Sequence, residues 1–87
     1  MDREDLSDLE FPVECHFRII SEDREHMHFV IETVLMELGI MDPLEEANKS
    51  SGGKYVSFAF STIVDSRESL AAIDDELRRI EGVRMVL

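Results

Sequence analysis

The sequence of 87 residues contains no tryptophan and only one cysteine. A lone cysteine, Cys15, excludes an internal disulfide and a zinc centre built from several thiolates. No apolar run approaches the roughly 20 residues that a membrane-spanning helix requires. The sequence therefore predicts no membrane span, and its five phenylalanines, together with Leu, Ile, Val and Met, supply the expected core.

Basic residues are also scarce, since nine Lys and Arg stand against 20 Asp and Glu and leave a net charge of −11. Phosphate groups are bound mainly by Lys and Arg, so nucleic acid and anionic membranes are not expected partners. The acidic excess favours a basic protein partner instead. The acidic start, Asp2-Arg3-Glu4-Asp5, lacks the features of a secretory signal, which makes the cytoplasm the expected compartment.

The chain length allows one domain that buries a little over about 60% of its unfolded surface. We interpret residues 1–10 as an acidic flexible tail, with a short amphipathic turn through Leu6 and Leu9 as the alternative. Residues 11–87 form the expected domain. Apolar residues alternate at its end, so residues 83–87 predict a final strand and a small complete unit.

The first half of the domain predicts a strand and then a helix. Apolar side chains alternate with mostly polar ones from Val13 to Ile19, which indicates a half-buried strand after Pro12. We expect Ser21 to cap the following helix, and Gly39 to end it. Acidic residues would occupy the first turn of that helix, namely Glu22, Asp23 and Glu25. Its apolar stripe consists of Met27, Val30, Ile31, Val34, Leu35 and Leu38.

The second half predicts two strands, a helix and a last strand. Residues 44–49 are interpreted as an edge strand, and residues 50–53 form a Ser-Ser-Gly-Gly turn. Asp65 and Glu68 have capping-box spacing for a helix that ends at Gly82. Its apolar stripe consists of Leu70, Ile73, Leu77 and Ile80. In the strand over residues 54–64, the larger hydrophobic residues select the core face, which contains Val56, Phe58, Phe60, Thr62 and Val64.

This order, strand-helix-strand-strand-helix-strand, predicts an α+β fold of the ferredoxin-like βαββαβ type. The expected sheet has four antiparallel strands with both helices on one face. We expect the first and third strands at its centre, with the last strand beside the first.

Four segments of the chain are distinctive, namely Phe11-Pro12, Ser50-Ser51-Gly52-Gly53-Lys54-Tyr55, Ser66-Arg67-Glu68 and Val83-Arg84-Met85-Val86-Leu87. With these segments the chain resembles the YbeD-like family of small bacterial proteins, a likeness that covers about residues 11–87. The terminal pentapeptide is the most specific of them.

The resemblance implies a ferredoxin-like fold similar to that of ACT regulatory domains, and it implies no established activity. Two positions depart from the family pattern, since Ser21 replaces a frequent Gly and Gly52 replaces a frequent Lys. ACT-type ligand sites use a Gly near the first position to admit a small amino acid. Ser21 therefore weighs against such a pocket.

The sheet face turned away from the helices is the expected binding surface. By alternation it carries five candidate contacts, His16, Arg18, Tyr55, Ser57 and Arg84, together with Ile20, Ala59, Ser61, Ile63 and Val86. Two arginines on neighbouring strands would suit a carboxylate or a phosphate, whereas pairing with nearby acids is the alternative. The partly apolar face favours self-association, with scattered exposed hydrophobic residues as the alternative.

Catalytic patterns are weak. Cys15 is predicted on the core face, where a thiol behaves as an inert hydrophobic group. His16 and Ser57 form the only nearby histidine–serine pair that alternation predicts, and no carboxylate is evidently placed to orient the imidazole.

Metal-binding and RNA-binding patterns are weak as well. Glu25, His28 and Glu32 share a helical face, which is a poor metal site or, in the preferred interpretation, a solvated surface. Tyr55 alone offers a ring for base stacking, because alternation places Phe58 and Phe60 on the core face of their strand.

We therefore expect a non-catalytic regulatory or adaptor module that has no cofactor and no metal. It would bind a protein partner, or a second copy of itself as a homodimer, through the open sheet face. The alternative is an ACT-like sensor of a small anionic metabolite such as an amino acid. A hydrolytic enzyme is the third hypothesis, and it would need a nucleophile and a base in contact within a deep pocket.

Overall fold

The computed structural model describes residues 10–49 and 52–87, which form one α+β unit. The predicted element order is confirmed, and the bounds are β1 (Val13–Glu22), α1 (Met27–Glu37), β2 (Glu45–Lys49), β3 (Tyr55–Val64), α2 (Arg67–Arg78) and β4 (Val83–Val86). Within the described ranges, neither helix has the length and apolar character needed to span a membrane.

The four strands form one antiparallel sheet in the order β2-β3-β1-β4, which confirms the predicted ferredoxin-like arrangement. The two central strands, β1 and β3, pair along their full ten residues, from Val13 opposite Val64 to Glu22 opposite Tyr55. Opposite residues share a sheet face, so this register decides which side chains enter the core.

The core lies between the sheet and the two helices. β3 contributes its predicted buried face, and β1 contributes Phe17 and Ile19. The Phe17 and Phe60 rings stack with centroids 4.8 Å apart. Each helix adds the centre of its stripe, Ile31 and Leu35 from α1 with Ile73 and Leu77 from α2. The outer stripe members Val34, Leu38, Leu70 and Ile80 are half-buried, whereas Val30 is exposed.

Ser21 does not cap α1, so this prediction is wrong. Ser21 lies in β1 opposite Val56, and its fully buried hydroxyl donates to the carbonyl of Glu22 at 2.9 Å. α1 begins only at Met27, after His26 in a left-handed conformation with φ 67°, and no acidic residue lies in its first turn. Pairing with the long β3 strand extends β1 past the local capping signal.

The cap of α2 is shifted by one residue from the prediction. Ser66, not Asp65, is the N-cap, and its hydroxyl accepts the backbone N–H of Ser69 at 3.1 Å. Glu68 still lies in the first turn, where its charge complements the helix dipole. Gly39 and Gly82 both follow their helices with positive φ, of 82° and 99°.

β4 contains an irregularity that reverses part of its predicted alternation. Val83 lies opposite Ser21, whereas Met85 lies opposite Ile20 and Val86 opposite Ile19, so Arg84 is the extra residue of a bulge. Val86 is consequently buried on the core side, and its predicted place on the open face is wrong. Met85 takes that place and is 45% exposed.

Two predictions lie wholly or partly outside the described residues. The acidic tail was assigned to residues 1–10, of which only Glu10 is described, and it is exposed. The serine pair of the predicted turn, Ser50 and Ser51, is likewise outside, while Gly53 has a φ of 72°.

The substitution Ile31→Ala should destabilise the fold by about 2–5 kcal/mol, because it empties a fully buried position between α1 and the sheet. Urea denaturation followed by circular dichroism measures the change. Met36→Ala is the matched control on the same helix, since Met36 is 62% exposed and should change stability by less than about 0.5 kcal/mol. Equal losses for both variants would contradict the placement of α1.

Candidate binding surface on the open sheet face

The open face of the sheet, which the helices leave uncovered, is built mainly from alternate residues of β1 and β3. Opposite pairs across the two strands are Glu14 with Ile63, His16 with Ser61, Arg18 with Ala59, Ile20 with Ser57 and Glu22 with Tyr55. Met85 joins them from β4. The face therefore mixes charged, polar and exposed apolar side chains, as the alternation predicts.

Small side chains at the centre of β3 leave this face indented. A shallow depression of about 450 Å³ lies over Ala59 and Ser61 and is bordered by His16, Arg18 and Leu87. A second depression, of about 250 Å³, shares Ala59 and Ser61 and extends over β2, to Pro43 and Glu45. Both are open hollows, and they suit a contacting surface or a small ligand better than a buried substrate.

Arg18 stands at the middle of the indented region. Its backbone exchanges hydrogen bonds with Leu87, at 3.1 Å and 2.8 Å, and its other neighbour across the sheet is Ala59. Ala59 in turn lies opposite Glu45 on β2. One row across the sheet therefore runs Glu45–Ala59–Arg18–Leu87, which places an acid, a small residue, a base and an apolar residue in sequence.

No described carboxylate forms an ion pair with the Arg18 side chain. Glu45 on β2 and Arg18 on β1 are two strand spacings apart, about 10 Å, and only the methyl group of Ala59 lies between them. Among the described residues, Arg18 is thus a charged donor group on an indented face without an ionic partner.

Arg84 is placed differently from Arg18. Its guanidinium Nη2 contacts the Glu22 carboxylate at 2.7 Å, and Arg24 Nε donates to the other oxygen of the same carboxylate at 2.8 Å. Glu22 is four residues along β1 from Arg18, about 13 Å of strand. The two predicted arginines therefore do not meet side by side, and Arg84 follows the alternative of pairing with a nearby acid.

Glu22 holds this cluster together electrostatically. The hydrogen bond from Arg24, with the charges of Arg24 and Arg84, lowers the pKa of the Glu22 carboxyl below its usual range. The hydrogen bond to Glu22 and its charge raise the pKa of Arg24 in turn, with a smaller contribution from Glu81. Sequence reasoning missed Glu22 because it was assigned to a helix turn, and only the extension of β1 brings it opposite the β4 bulge.

His16 and Ser61 form a second polar contact on the open face. His16 Nδ1 lies 2.6 Å from Ser61 Oγ, as their opposite positions in the register allow. The predicted pair of His16 with Ser57 is wrong, because Ser57 lies opposite Ile20. No described carboxylate hydrogen-bonds to His16, so the pair lacks the third group that orients a catalytic imidazole.

Cys15 and Tyr55 complete the predicted chemistry. Cys15 is half-buried beside the core, as predicted, and desolvation raises the pKa of its thiol. Such a thiol is a poor nucleophile. Tyr55 is 38% exposed at the Glu22 end of the face, away from the depressions. The assignment of His16, Arg18, Tyr55, Ser57 and Arg84 to partner contacts stays a prediction.

The predicted helical face of Glu25, His28 and Glu32 offers little to a metal ion, and Glu25 lies before the start of α1. His28 Nε2 contacts the carbonyl oxygen of Leu44 at 2.9 Å and is 3.8 Å from Glu32. The His28 ring also stacks on Phe58, with centroids 5.7 Å apart. Across residues 10–49 and 52–87, no group of three or more His, Cys, Asp or Glu side chains is arranged to hold a metal ion.

Comparison with known proteins decides the family. Residues 7–87 match the model of the family described as "Protein of unknown function (DUF493)". The chain belongs to this family. A UPF0250 protein from Shewanella frigidimarina is 30% identical over 79 residues, which cover 91% of this chain and 90% of that protein. A UPF0250 protein from Haemophilus influenzae is 27% identical over 79 residues, covering 91% and 86%. The YbeD-like resemblance is confirmed.

Solved structures confirm the fold of this DUF493 member. Protein HP0495 from Helicobacter pylori superposes with a TM-score of 0.77 at 18% identity, covering all of this chain and 98% of that chain. The ACT domain from the GTP pyrophosphokinase of Chlorobium tepidum superposes with a TM-score of 0.62 at 20% identity, covering 85% and 94%. Both likenesses concern the ferredoxin-like architecture that the ACT resemblance predicts.

The depressed pKa of Glu22 has a testable cause. Arg24→Gln should raise the pKa of the Glu22 carboxyl, and Arg84→Gln should raise it less, since the Arg24 hydrogen bond is the largest contribution. NMR titration of the Glu22 side-chain carboxyl carbon measures both changes. Arg67→Gln, on α2, is the control and should leave the titration unchanged.

The sign of the pH effect follows from the lowered pKa. Glu22 contributes stability above its unfolded-state pKa, and the contribution is lost as the pH falls through its folded-state value. A Glu22 titration that is unchanged in both arginine variants would contradict the cluster.

Proposed function

We propose that this protein is a non-catalytic regulatory or adaptor module that binds another protein surface through its open sheet face. The observation that carries the proposal is Arg18, a guanidinium with no described ionic partner, at the centre of an indented and partly apolar face. An unpaired arginine next to apolar side chains is typical of interface residues. The proposed compartment is the cytoplasm.

The row across the sheet supports self-association as one form of this binding. Arg18 and Glu45 lie on either side of Ala59. A second copy turned by a two-fold axis parallel to the strands over Ala59 would place its Glu45 against Arg18, and its Arg18 against Glu45. Symmetric dimers require such self-complementary surfaces. Exposed Ile63, Met85 and Leu87 would add apolar contact area.

The same face suits a different protein partner with an acid opposite Arg18 and a base opposite Glu45. The net charge of −11 favours partners that are basic overall. The same negative charge repels phosphate groups and therefore argues against nucleic acid as a partner.

A charge swap tests the proposal. Arg18→Glu and Glu45→Arg should each weaken the dimer by at least about tenfold, and the double variant should restore it, because the repelling pairs become attracting ones again. Sedimentation or size-exclusion chromatography with light scattering over a wide concentration range measures the dimer. Arg67→Glu, on the helix side, is the control with the same change of charge.

A strictly monomeric wild type would exclude the homodimer. Affinity capture from the native host with wild type, Arg18→Glu and Arg67→Glu then tests the adaptor role. Retention of every partner by Arg18→Glu would contradict the open face as the binding surface.

The alternative function is an ACT-like sensor of a small anionic metabolite such as an amino acid. The depression beside Arg18, of about 450 Å³, favours it, because a guanidinium binds carboxylates bidentately. The ACT site near the end of the first strand is a poorer candidate, since the Ser21 side chain fills a fully buried position there.

A metabolite bound beside Arg18 should increase the free energy of unfolding of the wild type by about 2.7 kcal/mol at a hundredfold excess over Kd. Its melting temperature should rise accordingly. Arg18→Gln should abolish the shift, and Arg79→Gln, on the helix side, should preserve it. Thermal denaturation with amino acids and other small carboxylates at millimolar concentration measures the effect. No shift with any of them would exclude the sensor.

A further inference from the structure

The two long strands at the centre of the sheet are not equally covered. β3 is paired on both sides, with β1 and with β2. β1 is paired along its whole length with β3, but β4 meets it only from Ser21 to Ile19, followed by the reciprocal backbone bonds of Arg18 and Leu87. Among the described residues, no strand lies beside residues 13–17 of β1 on that edge.

The backbone groups along this edge can be assigned from the register. The N–H and C=O of Arg18 both point to the β4 side, because they bond Leu87. Backbone groups of an antiparallel strand alternate in direction, so those of His16 and Glu14 point to the same side. The uncovered stretch measures about 17 Å, which is the length of a short strand.

An apolar groove of about 540 Å³ lies beside this edge on the helix side of the sheet. It occupies the space between β1 and α2 beside Val86 and Leu87. Its apolar walls are formed by Cys15, Phe17, Leu70, Ala71, Val86 and Leu87. Backbone donors and acceptors that no described residue pairs therefore adjoin the apolar groove. Together they match an extended peptide with alternating side chains.

Two carboxylates line the same groove from α2. Asp74 is already ion-paired with Arg78 at 2.8 Å, whereas Asp75, the next residue of the helix, has no ion pair among the described residues. A lysine or arginine can lay its aliphatic stem across apolar surface and place its charge at such a rim. The groove therefore selects an occupant that is apolar and basic.

We propose that the edge of β1 at residues 13–17 takes an extended segment of a basic partner protein as an added strand. Backbone groups of Glu14 and His16 bond the segment, its inward side chains enter the apolar groove, and a basic side chain among them reaches Asp75. The groove reaches the β1 edge from the helix side of the sheet, and it shares His16, Phe17 and Leu87 with the depression on the open face.

Charge distinguishes this occupant from the two that the chain itself supplies. A second copy carries a net charge of −11, and the residues before β1 include Asp2, Glu4, Asp5 and Asp8 with a single base. Like charges placed against Asp74 and Asp75 are destabilising. A basic segment from another protein gains from the same carboxylates.

The experiment titrates the full-length, isotope-labelled protein with a short capped peptide whose groove-facing positions, every second residue, carry valine, leucine and one lysine. We expect saturable binding, shift changes at the amides of Glu14 and His16, and slower hydrogen exchange there. A peptide with glutamate in place of lysine, and one N-methylated at the pairing positions, should each bind at least about tenfold more weakly. Equal binding of either control peptide would overturn the proposal.

Variants of α2 locate the site. Ala71→Arg should weaken the lysine peptide by at least about tenfold, because it fills the groove and repels the base. Ala72→Arg is the matched control, since it places the same exposed side chain on the neighbouring position outside the groove. Ala71 is itself exposed, so its replacement should leave the fold intact, which circular dichroism checks.

Three further outcomes would refute the proposal. One is equal weakening by Ala71→Arg and Ala72→Arg, and another is no binding of the lysine peptide at millimolar concentration. The third is slow hydrogen exchange at Glu14 and His16 in the free protein, which would show that residues 1–9 or a second copy already covers the edge. Light scattering on the same sample separates these two occupants.

Discussion

The pairing of β1 with β3 is the constraint on which the rest of the structure depends. Their ten-residue register fixes both faces of the sheet at once, because opposite residues share a face. On one side it stacks Phe17 on Phe60. On the other it sets Arg18 beside Ala59 in the row that ends at Glu45. A slip by one residue would disrupt the core and the candidate surface together.

The sequence was sufficient for the architecture because its strongest patterns are long. Phe58 and Phe60 are two positions apart in a ten-residue strand and so lie on the same face. The buried face of β3 could therefore be predicted from alternation alone. The helix boundaries depend on shorter signals. Ser21, Asp65 and Ser66 are all good capping residues, and which of them caps a helix is decided by how far the neighbouring strand stays paired.

The candidate surface was predictable in composition but not in geometry. Alternation placed His16 and Arg18 on the open face, and both are exposed there. The partner of His16 depends on inter-strand register, which no single-strand pattern contains. The position of Arg84 depends on a bulge within Val83–Val86, where no glycine marks the irregularity. The ion cluster around Glu22 combines both effects and was therefore missed.

The two edges of the sheet differ in a way that limits assembly. Every residue of β2 is exposed, Glu45, Glu46 and Lys49 line it, and its pairing with β3 is irregular, all of which discourage a further strand. The opposite edge is open only over a short stretch. Growth of a sheet from one molecule to the next requires two receptive edges, and the β2 edge has the features that discourage such pairing.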